Sequence, residues 1–276
     1  MRRSPAERFL GHAILVIAAL IALYPFVTIV ALAFTPKEEH VAGFAIPSHP
    51  TLANFSAAWT EGGFSRALFS SLVVAVGVVV LSVIVSTLAG YAISTIRFPG
   101  RSVLVAFLLI GLVMPYEGII VPLYYQLQGL GLLNTYWALI LPQVATSVSL
   151  GVFWMRTVFD GVPPGLQDAA RVDGAGRLRT LVSVYLPIST SGIQTLATLL
   201  FLFTWNEFLM PLVLVAQNPD VQTAPLALSF FAGNTRNFDP GTTAAAAVLV
   251  ALPILLFYVV LQRRFITGVA AGAVKE

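Results

Sequence analysis

Two carboxylates stand inside otherwise apolar stretches: Glu117, in Met114-Pro115-Tyr116-Glu117, and Glu207, in Trp205-Asn206-Glu207-Phe208. An acidic side chain at the centre of a bilayer costs about 2.5–3.5 kcal/mol even on the gentler insertion scales. Each must therefore face a polar cavity, a partner or the interface. Near the outer surface the two acids would be interfacial residues; on a pathway they would hold a solute or move a proton, and Asn206 shares whichever fate Glu207 has. A second group precedes them: Ser191, Thr195, Thr198 and Trp205 fall at i, i+4, i+7 and i+14, one face of a helix. Sugars present hydroxyls beside apolar faces, which such a stripe suits. Small hydroxyl residues also pack membrane helices together, and the spacing satisfies both readings.

Most other chemistry is excluded. A phosphate-binding loop ends in Gly-Lys-Ser/Thr, yet the two lysines, Lys37 and Lys275, are each followed by Glu. Gly174-Ala175-Gly176 lacks the third glycine and the preceding strand of a dinucleotide fingerprint. His12, His40 and His49 have no metal-ligand spacing, Glu38-Glu39-His40 reads as a solvated charge run, no Gly-x-Ser-x-Gly elbow occurs, and cysteine is absent. No catalytic residue, metal ligand or bound cofactor is assigned to this chain. Chemical energy, if it drives this protein, must come from another subunit.

The elements that position these groups follow from composition. The 276 residues are 58% hydrophobic and 10% charged, against about 25% charged in soluble domains, which predicts a single all-α integral membrane domain spanning 1–276. Apolar runs at about 9–34, 67–96, 102–125, 136–155, 186–216 and 241–262 predict six transmembrane helices. Ala31-Leu32-Ala33 resembles a signal cleavage site, but the run before it exceeds an h-region of roughly 7–15 residues, so a retained first span is expected. The third run is interrupted by Pro115, Glu117 and Pro122. With the N-terminus inside, the inner segments hold 12 Lys and Arg (Arg2, Arg3, Arg8; Arg97, Arg101; Arg156, Arg171, Arg177, Arg179; Arg263, Arg264, Lys275), and the outer ones hold 3 (Lys37, Arg66, Arg236). This bias places both termini in the cytoplasm and accounts for the net charge of +3 without nucleic acid.

The polar interval 156–187 carries 7 of the 27 charged residues, counted from 15 basic and 12 acidic. Within it, Pro163-Pro164-Gly165-Leu166-Gln167-Asp168-Ala169-Ala170-Arg171-Val172-Asp173-Gly174-Ala175 reads as a short helix. Pro164 suits the first helical position and Gly174 a left-handed end. Leu166, Ala169, Ala170 and Asp173 share a face that is almost flat, suited to close docking against another protein. Asp168-Ala169-Ala170, three residues, Gly174, nine residues, Val184-x-Leu186-Pro187 resembles the cytoplasmic signature of permease subunits of ATP-binding-cassette importers. Asp replaces the usual Glu at 168, and Val the usual Ile at 184. The resemblance implies that 163–175 is a coupling helix seated in a groove of an ATPase subunit. Asp168 would then orient it by hydrogen bonds or a salt bridge to the ATPase, Ala169 and Ala170 would permit close approach, and Gly174 would let the backbone turn; Pro163, Leu166, Arg171, Asp173 and Ala175 belong to the same coupling segment.

Further stretches resemble the carbohydrate branch of these permeases, and the smaller permease of maltose importers in particular: Gly131-Leu132-Leu133-Asn134-Thr135-Tyr136-Trp137-Ala138-Leu139, Trp205-Asn206-Glu207-Phe208-Leu209 with Pro211-Leu212, and Pro50-Thr51-Leu52-Ala53-Asn54-Phe55. The resemblance covers nearly the whole chain. It implies a multi-pass subunit of a prokaryotic inner membrane, importing a mono- or oligosaccharide. The implied partners are a second permease in a heterodimer, two ATPase subunits holding ATP and Mg, an extracytoplasmic solute-binding protein and membrane lipid. Related permeases carry glycerol phosphates, which is the alternative cargo. An ion-coupled secondary transporter or an intramembrane enzyme would use Glu117 and Glu207 instead, but would leave 156–187 without a role.

Overall fold

The computed structural model describes residues 5–39, 46–233 and 239–273. Arg2, Arg3, His40, Arg236 and Lys275, weighed above, lie outside the described residues. Among the described residues all regular structure is helical. Four helices are unbroken and long and apolar enough to cross a membrane, and two bent pairs bring the candidate spans to as many as six. Two compact units divide the chain: residues up to 65 with 227–253, and residues 66–226 with those from 254 onward.

The first unit contains α1 (Pro5–Ala33) and α2 (Ala53–Thr60). Of the membrane-length part of α1 only its last residue, Ala33, is buried. Its last carbonyls need partners, and Asn54 Nδ2 supplies one by donating to Ala33 O at 3.1 Å and to Thr35 O at 2.8 Å. Phe34 packs on Phe55 with ring centres 4.9 Å apart.

The second unit is built on α3 (Phe64–Thr95), which begins just before it, and α6 (Tyr136–Asp160). Between them lie α4 (Arg101–Val113) and α5 (Ile120–Gly129). The expected run 102–125 is not one straight helix, because Arg101–Val113 and Tyr116–Gly129 meet at 90°. Pro115 causes the break: Met114 before it is extended (ψ 122°), as a residue preceding proline favours, and Pro115 has no N–H to continue the ladder. The expected run 186–216 is likewise divided. The segments α8 (Arg177–Thr180), a π turn (Leu181–Tyr185) and α9 (Leu186–Ile188) lead to α10 (Thr190–Trp205) across a 79° bend. Pro187 withholds an N–H there, and after Trp205 the chain turns before α11 (Leu209–Leu214). Then come α12 (Ala224–Gly233) and α13 (Pro240–Ala273), the latter continuing beyond the expected end at 262.

Contact between α3 and α6 depends on small residues. A Cβ added at Gly151 would lie 2.1 Å from Ser86 Oγ, and one at Gly90 2.8 Å from Met155 Cβ. Such close approach gives dispersion contact where lipid offers no hydrophobic drive. Near the start of α3, Val74, Val78, Leu139, Ile140 and Leu214 form one core cluster; near its end, Tyr91, Met155, Phe159, Leu181, Tyr185 and Leu196 form another.

Candidate functional site

The polar interval folds as its residues dictate. The helix α7 runs Pro164–Val172, with Pro163 extended before it and Pro164 in the first turn, where a missing N–H costs nothing. Asp173 follows, and Gly174 adopts φ +73°. The amide of Gly174 donates to Arg171 O at 3.0 Å and that of Ala175 to Ala170 O at 2.9 Å. These two bonds close the helix in the paired geometry that needs a left-handed residue at 174. The end at Gly174 is as its sequence position leads one to expect.

The faces of α7 differ. Ala170 is buried against the chain itself, whereas Pro163, Leu166, Asp168, Ala169, Arg171, Asp173 and Gly174 are exposed and Ala175 is half-buried. The outward flat face is therefore Leu166, Ala169 and Asp173. Asp168 Oδ1 accepts from Arg171 Nη1 at 3.3 Å, an exposed pair that holds the polar flank in place with little effect on stability.

Beneath α7, packed against it, is the π turn Leu181–Tyr185. The Tyr185 hydroxyl donates to Gln167 Oε1 at 3.4 Å. Its ring completes an edge-to-face triad: Tyr91 lies 5.1 Å from Tyr185, Phe159 5.5 Å from Tyr185, and Tyr91 6.0 Å from Phe159. Tyr91 ends α3, Phe159 ends α6, and Tyr185 leads into α9 and α10. The Tyr91 hydroxyl donates to Arg177 O at 3.1 Å, and Trp154 Nε1 on α6 donates to Gly192 O on α10 at 2.9 Å. The helix α7 is thus joined to three long helices through aromatic contacts and directed hydrogen bonds.

At the far end of α10 a cleft of about 600 Å3 opens among α4, α6, α10 and the turn after it. Tyr116, Gln143, Ser147, Phe203, Asn206 and Glu207 are among the side chains that line it. Glu207 Oε1 accepts the Met210 amide at 3.0 Å, and Tyr116 lines the same cleft. Gln143 is only 5% exposed, yet its Nε2 has no partner among the described residues. A buried amide without a partner costs about 1–3 kcal/mol, and a rearrangement that opened it to the cleft would let a solute oxygen accept from it. Apolar walls with a few convergent polar groups are typical of small-molecule sites.

The residues singled out in the sequence separate here. Asn206 and Glu207 line the cleft; Glu117 does not, being exposed on the turn between α4 and α5. The stripe Ser191, Thr195, Thr198 and Trp205 does not line it either. Thr195 Oγ1 donates to Ser191 O at 2.9 Å and Thr198 Oγ1 to Gln194 O at 2.7 Å, so both hydroxyls are satisfied within their own helix. Ser191 is exposed, and Trp205 is buried and stacked on Phe201 at 5.4 Å. Helix packing, the other reading of that spacing, describes Thr195, Thr198 and Trp205. Sequence reasoning passed over Gln143, Phe203, Tyr91 and Tyr185. Gln143, an amide inside an uncharged run, carried the one readable signal; the aromatic residues were hidden among other apolar residues.

Residues 82–270 match the family described as the inner membrane component of binding-protein-dependent transport systems. The chain is 32% identical to the trehalose transport system permease protein SugB of Mycobacterium tuberculosis, over 92% of this chain and 93% of that one. It is 29% identical to the trehalose/maltose transport system permease protein MalG of Thermococcus litoralis, over 100% and 99%. A chain in the crystal structure of a bacterial ABC transporter that imports the acidic polysaccharide alginate shares the fold, with a TM-score of 0.81, 22% identity and coverage of 96% and 99%. With these likenesses the chain belongs to the inner membrane components of binding-protein-dependent ABC transport systems.

Proposed function

We propose that this chain is one of two permease subunits of an ATP-driven importer of a mono- or oligosaccharide. The observation that carries this is the connection from the outward face of α7, through the Tyr91–Phe159–Tyr185 triad, to α10 and the cleft at its other end. In this reading the chain forms one permease domain with six spans, each bent pair counting as one, and the arginine bias places both termini and 156–187 in the cytoplasm. Two ATPase subunits hold ATP and Mg, and one of them receives α7 in a groove. A second permease completes the path, and a solute-binding protein delivers cargo to the outer segments 35–66 and 217–240. ATPase closure displaces α7 and, with it, the helices joined by the triad. The cleft is thereby exposed alternately to each side.

The cargo assignment rests on the cleft and on the relatives. The transporter subunits named above serve trehalose and maltose. Aromatic surfaces at Tyr116 and Phe203 beside Gln143, Asn206 and Glu207 suit a neutral polyhydroxylated ring. A glycerol phosphate would need a cation, and neither Lys nor Arg lines the cleft. The test is reconstitution with the partner ATPase, second permease and binding protein, and measurement of ATP-dependent uptake of labelled trehalose and maltose. Uptake of either sugar that stops when ATP is withheld is expected. Uptake that continues without ATP and collapses with the proton gradient would contradict the assignment.

A further inference from the structure

A second cleft, of about 650 Å3, lies where the end of α3 and the start of α4 face α7 and α8, and it is lined by Arg97, Arg101, Arg171 and Arg177 with no carboxylate among its lining residues. Arg171 pairs with Asp168, but the other three have no ion-pair partner among the described residues. The neighbouring hydroxyls are engaged: Tyr91 donates to Arg177 O, Thr95 to Tyr91 O, Thr180 to Gly176 O and Ser94 to Asp160. The available donors are therefore the Gln167 amide and the guanidinium forks, whose geometry matches phosphate oxygens.

Position adds to chemistry. Arg97 and Arg101 flank the turn between two apolar helices, the depth at which a membrane presents its headgroups. From Arg101 rises α4, which has no buried residue; Val103, Phe107 and Ile110, at i, i+4 and i+7, are 73, 70 and 64% exposed. An apolar stripe that begins within a turn of a basic cleft accommodates acyl chains below a charged head. A soluble anion would have no use for such a wall.

We propose that this cleft binds the phosphate of an anionic phospholipid, tying the α3–α4 turn to α7 and α8. The proposal rests on the transporter reading only for which leaflet supplies the lipid. Its test measures lipid retention without transport, so each reading can fail alone.

The experiment is native mass spectrometry of the full chain, purified with its partner subunits and supplied with phosphatidylglycerol or phosphatidylcholine. Phosphatidylglycerol should be retained preferentially, and Arg97→Gln/Arg101→Gln should weaken its retention by roughly fivefold per arginine. Arg97→Lys/Arg101→Lys, which keeps the topological charge, should retain most of it. Arg179→Gln, outside the cleft, should change nothing. Retention equal for both lipids, or unaffected by the double Gln variant, would overturn the proposal. Displacement of phosphatidylglycerol by millimolar inorganic phosphate would assign the cleft to a soluble anion and overturn the lipid. Loss of the ATPase from the double Gln variant with phosphatidylglycerol still retained would assign the arginines to a protein interface instead.

Discussion

The hydroxyl of Tyr185 donates to Gln167 Oε1 at 3.4 Å, across the step between the π turn and α7. Tyr185 is buried, and its ring touches both Tyr91 and Phe159, so one side chain belongs at once to the helical core and to the contact with α7. Its two parts are separable by substitution. Tyr185→Phe removes the hydroxyl and should cost about 0.5–1.5 kcal/mol of stability at most, with ATP hydrolysis kept and uptake per ATP reduced. Tyr185→Ala opens the triad and should cost about 3–5 kcal/mol, seen as a large fall in thermal midpoint in detergent. Equal effects of the two variants would mean that the triad is not the support.

Gly174 sits at φ +73° with open space around a hypothetical Cβ, so its requirement is conformational rather than steric. A β-branched residue in the left-handed region costs about 1–2 kcal/mol, whereas Asn tolerates it. Gly174→Val should abolish uptake while the subunit still inserts; Gly174→Asn and Gly174→Asp, both tolerated in the left-handed region, should keep a substantial part. Uptake assays normalised to membrane-inserted protein decide this. Normal transport by a well-expressed Gly174→Val variant would remove the geometric role.

Much of this was legible in the residues, and the limits have physical causes. The cap at Gly174 and the proline start of α7 could be read because proline and glycine have few conformations to choose from. The interruption at Pro115 was visible, but its 90° angle was not, since hydropathy counts length and not direction. The run 186–216 read as one span for the same reason. The hydroxyls of Thr195 and Thr198 shared a face by spacing, but spacing does not say whether a hydroxyl bonds its own helix or points into a cavity. Gln143 and Phe203 lie 60 residues apart in the sequence and meet only when α6 and α10 pack.

Gln143→Leu offers a test of the cleft in which stability and function should part. Replacing a buried unpartnered amide with an apolar side chain of similar shape relieves a desolvation cost of about 1–3 kcal/mol. The thermal midpoint of the resting complex should rise while sugar uptake falls. A lower midpoint would show that Nε2 is already satisfied and that the cleft does not await a solute.

The contact between α3 and α6 leaves no room at Gly151. A side chain there would drive into Ser86, and overpacking costs about 1–3 kcal/mol or more. Gly151→Leu should therefore reduce the yield of folded chain, whereas Gly118→Ala, at a position with open space around it, should not. Quantitative fluorescence-detected chromatography of both variants makes the comparison.

The coupling role of this chain depends on what α7 touches. The chain has no cysteine, so a single Leu166→Cys or Ala169→Cys substitution places one thiol on the exposed face of α7 without background. Crosslinking in native membranes, followed by identification of the joined partner, should yield an ATP-hydrolysing subunit, with an efficiency that changes between nucleotide-free and ATP-bound conditions. Sugar uptake that proceeds normally while neither position ever joins a nucleotide hydrolase would contradict the coupling role of this helix.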